Sequence, residues 1–138
     1  MVFALLLLLC VDLESIRNEP NVERRSELAL QNAETLMDTA RDAYRAGDAG
    51  KTEIALKELG ASVDLCYDAL VEGGKDPRKH PKFFKSAELK TRGLLRRLED
   101  MRRAVATEDR EVVEKVRDSV SDIHDKLLNG IMTKRKKQ

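Results

Sequence analysis

The stretch SELALQNAETLMDTARDAYRAGDAGKTEIALKELGASVDLCYDAL, Ser26 to Leu70, decides the fold class. In its first half Leu30, Ala33, Met37, Ala40 and Tyr44 recur at steps of three and four, and Ala29, Leu36 and Ala43 widen the same face. That spacing keeps one side of an α-helix apolar and excludes the period-two alternation of a half-buried strand. Gly47-Asp48 interrupts it: glycine suits the left-handed position after a helix, and Asp48 can cap the helix that follows. The second half carries its own stripe, Leu56, Leu59, Val63, Cys66 and Leu70. Two amphipathic helices joined by a few residues make an antiparallel hairpin.

Working outward, the first helix is expected from Pro20 to Ala46 and the second from Lys51 to Glu72. Gly73-Gly74 and Asp76-Pro77 then break the chain. A third helix is expected from Phe83 to Ala106, with Phe84, Ala87, Leu94, Leu98, Met101 and Val105 inward. A fourth is expected from Asp109 to Ile131, with Val113, Val116, Val120, Ile123 and Leu127 inward and Thr107 or Asp109 as its cap. Gly60 sits inside the second helix at a cost of about 1 kcal/mol against Ala, and a close helix contact is one reason to keep it.

The two halves are internally similar. Setting Ser26–Asp48 over Ala87–Asp109 aligns Glu27, Leu28, Arg41, Ala43 and Asp48 with Glu88, Leu89, Arg102, Ala104 and Asp109. SVDLCYDAL at 62–70 likewise sits over SVSDIHDKL at 119–127. Two hairpins in tandem predict an all-α, antiparallel four-helix bundle. A tetratricopeptide-type solenoid is the alternative, but helices of this length exceed its repeat of about 34 residues. The expected layout is a signal-like segment at 1–10, an extension at 11–19 and the bundle at 20–131, with hairpins 20–72 and 83–131 around a basic linker at 73–82. A basic tail follows at 132–138.

The chain has 138 residues, 37% of them charged and 4% aromatic, with no Trp. Apolar residues make up 41% and are periodic, which separates it from a disordered chain. Enzyme signatures are missing: no nucleophile elbow, phosphate-binding glycine loop or dinucleotide fingerprint occurs. The acidic residues sit mostly at solvent-facing helix positions. The two histidines lie apart, His80 in the Pro-bounded linker and His124 beside Asp125.

Helical bundles can hold metals or haem. The Glu-x-x-His pairs of di-iron bundles are absent, since Ser121 stands three residues before His124. Covalent haem needs Cys-x-x-Cys-His, which does not occur. A His124–Met37 haem pair is offset by about 10–15 Å along the bundle. No cofactor, metal or catalytic residue is assigned, and the chain is expected to be non-catalytic. A haem- or metal-binding bundle is kept as the third function class.

Charge is the most distinctive feature. Val11 to Gly74 holds 14 acidic and 7 basic residues, whereas Lys75 to Gln138 holds 11 acidic and 19 basic. The densest run is Lys75 to Arg97, with Lys75, Arg78, Lys79, Lys82, Lys85, Lys90, Arg92, Arg96 and Arg97 against Asp76 and Glu88. Lys134, Arg135, Lys136 and Lys137 follow near the C-terminus. Three readings are open. The acidic and basic hairpins can complement each other within the bundle. The nine cations can bind an anionic partner, such as membrane headgroups, an envelope polyanion or an acidic protein, with Phe83 and Phe84 beside Lys82 and Lys85 suiting an interfacial contact. Nucleic acid is the third, without a recognisable reading motif.

Met1 to Cys10, MVFALLLLLC, is apolar and uncharged. It is too short to span a bilayer, which takes about 20 residues. It matches the apolar core of a secretory signal, although a basic start and an A-x-A site are missing. Leu7-Leu8-Leu9-Cys10 also resembles a lipobox, with Leu9 where a small residue is expected, so attachment through Cys10 is a second possibility. A buried apolar element of the domain is the third. Cys66 falls on an apolar stripe and reads as a small core residue.

The apolar start, the paired hairpins and the Lys-rich Pro loop resemble exported bacterial helical-bundle proteins of unknown function. The resemblance implies a periplasmic or secreted, cell-envelope setting and carries no activity or site. The expected function is a non-catalytic, exported interaction domain binding an anionic partner through the basic linker and helix three. The alternative is a cytoplasmic regulatory or nucleic-acid-binding helical protein.

Overall fold

The computed structural model describes residues 13–74, 76, 79 and 81–136, with side chains as far as residue 132. The signal-like segment Met1–Cys10 and four linker residues, Lys75, Pro77, Arg78 and His80, lie outside the described residues. Among the described residues the chain is helical throughout, in α1 (Val22–Arg45), α2 (Ala49–Glu72), α3 (Pro81–Ala104) and α4 (Arg110–Lys136). Ahead of α1, residues 13–17 form further helical turns, with Leu13 and Ile16 buried.

Each boundary has a local cause. The side chain of Asn21 accepts from the Arg24 N–H at the start of α1. Gly47, with φ +77°, follows its end. The Asp48 N–H donates to the Ala43 carbonyl at 2.9 Å and the Gly47 N–H to that of Tyr44 at 3.0 Å, a Schellman closure. Asp48 then caps α2 as expected, accepting from Lys51 N–H at 3.0 Å. Pro81, rather than Phe83, opens α3, because the first helical position needs no N–H. Thr107–Asp109 form a 3-10 turn instead of a side-chain cap. Beyond Ile131 no proline follows, and Lys and Arg favour helix, so α4 continues to Lys136.

The predicted inward faces are the observed core. Leu36, Leu56, Leu59, Val63, Leu70, Leu98, Val113, Val120 and Leu127 are all fully buried. The two aligned segments agree here, since Val63, Cys66 and Leu70 and their counterparts Val120, Ile123 and Leu127 all lie in the core. Gly60 is buried, but a Cβ there would lie 3.9 Å from Val116 Cγ1, an ordinary contact. The close approach occurs instead at Gly73, where a Cβ would meet Val22 Cγ2 at 2.6 Å.

α1 packs on α2, α3 on α4, α2 on α4 and α1 on α3, while α2 and α3 touch only slightly across the diagonal. Arg25 reaches Glu72 at 2.7 Å, so α2 ends where α1 starts. Arg97 bonds Asp38, and Tyr44 meets Ala106, so α1 and α3 run the same way. Gly60 lies beside Val116, and the Lys126 ammonium sits 5.4 Å from the Tyr67 ring, so α2 and α4 are also co-directional. The two antiparallel hairpins therefore stack side by side in the same orientation. One end of the bundle holds both hairpin turns. The other holds the starts of α1 and α3, the ends of α2 and α4, and the linker between hairpins.

Candidate functional site

The cations expected to form one surface divide among several environments. Lys75 and Arg78 lie outside the described residues. Lys79 is exposed in a turn where its N–H donates to the Asp76 carbonyl at 2.9 Å. Lys82, Lys85, Arg92 and Arg96 are exposed along α3, and Leu89 completes their stripe. Steps of three and four place all five on one side of the helix. Leu89 is 59% exposed, an apolar residue set among cations. Lys90 and Arg97 lie seven residues apart on another side. Lys90 is exposed, and Arg97 is tied to Asp38 of α1.

Pairing separates these cations further. Arg97 bridges the basic hairpin to the acidic one through Asp38, and the Asp38 carboxyl is held below its ordinary value by that hydrogen bond. Arg92 turns back to Glu88, its Nε donating at 2.9 Å. Among the described residues, Lys79, Lys82, Lys85, Lys90 and Arg96 stand within 4.0 Å of no carboxylate. Phe84 is buried in the core and Phe83 packs against it, so both aromatics contribute to packing.

Glu88 forms the polar centre that the sequence reading missed. It is 4% exposed, and its Oε1 accepts from Arg92 and lies 3.0 Å from His124 Nε2. An ionised carboxylate only accepts, so His124 carries its proton on Nε2. Burial pushes the Glu88 carboxyl up, but the hydrogen bonds and charges of Arg92 and His124 outweigh that and hold it below its usual range. His124, whose side chain is 14% exposed, thus belongs to a part-buried bridge between α3 and α4. The Glu88–Arg92 spacing of four was the available signal, whereas the His124 contact comes only from helix packing.

A second network lies nearer the turn end. Glu99 accepts from Arg102 at 2.8 Å and from Arg117 at 3.1 Å, and these bonds lower its carboxyl to about 2. There too Tyr44 accepts from the Ala106 N–H at 2.8 Å, and its hydroxyl lies 3.3 Å from Asp109. A groove opens between α1 and α3 over Met37, Tyr44 and Met101, rimmed by Arg41, Arg45, Arg97 and Asp100.

Cys66 is buried beside Ser26, its Sγ 3.4 Å from the hydroxyl, and burial pushes the thiol up to about 11. Among the described residues no cluster of three metal-ligating side chains occurs, and no helix is long and apolar enough to cross a membrane. Comparison with protein-family models, curated proteins and solved structures found no match to this chain.

Proposed function

We propose that this protein is a non-catalytic, exported helical interaction domain of the cell envelope. It binds an anionic partner through the linker-end lysines and the outward face of α3. One observation carries the reading: Lys79, Lys82, Lys85 and Arg96 are exposed without acidic partners among the described residues, while Arg92 and Arg97 are engaged in ion pairs. Unpaired cations on a rigid helix keep their field available to a partner. The polar groups of the second hairpin support the non-catalytic part. Glu88, His124 and Arg92 satisfy one another, which suits a structural bridge. Export rests on the apolar run Met1–Cys10.

Fluorescence anisotropy with labelled inorganic polyphosphate tests the binding. Affinity should fall steeply with salt, because exposed charges are screened over about 8 Å at physiological ionic strength. Replacing Lys79, Lys82, Lys85 and Arg96 with Gln should weaken binding and leave helicity and melting temperature nearly unchanged. Absence of salt-dependent association with polyphosphate and with anionic vesicles alike would sink the binding reading. Cell fractionation tests the location, and intact Met1–Cys10 on a cytosolic form would sink export.

A further inference from the structure

The topology brings together charges that the sequence keeps far apart. α1 and α3 start, and α2 and α4 end, at one pole of the bundle, as the Arg25–Glu72 and His124–Glu88 contacts require. Lys79, Lys82 and Lys85 lie at this pole on the linker and the first turns of α3. α4 runs to Lys136, so Lys134, Arg135 and Lys136 occupy its final turn at the same pole, about fifty residues away in sequence. Residues 13–17 precede α1 at the same pole.

Several acidic residues at this pole are engaged. Glu72 is paired with Arg25 at 2.7 Å and Glu19 with Arg24 at 3.6 Å. Glu23 and Asp76 each have contacts of their own. The turn pole differs, mixing Asp42, Asp48, Glu108 and Asp109 with Arg45, Lys51 and Arg103.

We propose that the linker pole docks end-on against an anionic lipid bilayer, with the bundle axis standing off the surface. This rests on the anionic-partner reading and names the partner's class. A flat surface fits because the cations come from two separate chain segments at the end of a bundle, not from a groove matching one strand of polymer. Juxtamembrane cations are drawn to anionic headgroups within a Debye length.

Co-sedimentation of the full chain with vesicles tests this, comparing phosphatidylcholine alone with phosphatidylcholine mixed with phosphatidylglycerol. Binding should require the anionic lipid and fall with salt. The triple variant Lys79→Gln, Lys82→Gln, Lys85→Gln should lose about fivefold in partitioning per cation, on the order of 100-fold in all. The turn-pole variant Arg45→Gln, Arg103→Gln, Lys115→Gln should partition nearly as the parent does. Circular dichroism should show both variants folded. Equal losses from the two variants, or equal binding to neutral and anionic vesicles, would overturn the proposal. Binding to polyphosphate without binding to anionic vesicles would overturn it and leave the anionic-partner reading standing. Binding to neither would end both.

Discussion

The two hairpins reach the same shape by different means. In the first, among Leu36, Met37, Leu56 and Leu59, small side chains are buried on both helices: Ala29, Ala33, Ala40 and Ala43 on α1 and Ala55, Ser62 and Ala69 on α2. Those residues let the two backbones lie close along their length. The second hairpin uses Leu94, Leu98 and Met101 against a ladder of Val113, Val116, Val120, Ile123 and Leu127. Charged bridges connect its helices, Glu88 to His124 near the linker pole and Glu99 to Arg117 nearer the turns. Small residues thus hold one hairpin by proximity. The other combines larger aliphatic side chains with ion pairs.

The comparison can be broken most severely in the second core. Ile123→Ala should cost about 2–5 kcal/mol in urea unfolding, because a buried branched side chain leaves a cavity. A loss under about 0.5 kcal/mol would mean that α4 is phased differently.

Enlarging a small residue probes the first hairpin. Ala33→Leu should cost about 1–3 kcal/mol by overpacking the α1 seam, whereas Ala104→Leu at an exposed position of α3 should cost little. Equal melting temperatures for the two variants would contradict the close seam.

Acid sharpens the contrast from the other side. The folded value of Glu88 lies below its unfolded one, so its stabilisation is fully present above about pH 4.3 and is lost as pH falls through the folded value. Glu88→Gln should cost about 1–2 kcal/mol at neutral pH and flatten the acid limb of the stability curve. Glu99, held at about 2, should keep contributing further into acid. An unchanged pH profile for Glu88→Gln would remove the buried bridge from the account.

The smallest effect is expected at Gly60. Its added Cβ would make an ordinary contact with Val116, so Gly60→Ala should raise stability by about 0.4–1 kcal/mol. Destabilisation would show that α2 and α4 need the missing side chain.

How far the sequence reading carried depends on the range of each interaction. The helical stripes, the Gly47-Asp48 turn and the break after Gly73 were legible because helix period, left-handed glycine and side-chain capping act within a few residues. The Pro81 start was shifted by two residues, since a proline reads equally as a linker residue and as a first helical position. Phe83 and Phe84 were ambiguous for a related reason: an aromatic beside lysines has the same local pattern whether it meets a partner or the core. The His124 contact was not legible because its carboxylate partner is Glu88, across the α3–α4 interface.

Composition and periodicity by themselves determined an all-α chain, the identity of its core residues, its two hairpins and their opposite charge balance. Only the tertiary structure decided that the hairpins stack in the same direction, which cations are paired, and that Lys79, Lys82 and Lys85 share a pole with the last turn of α4. The reason is physical. An amphipathic stripe specifies how much surface a helix must bury. The neighbour that covers it is selected by the packing of side chains distant in sequence, and that selection sets which charges meet an opposite charge and which remain exposed.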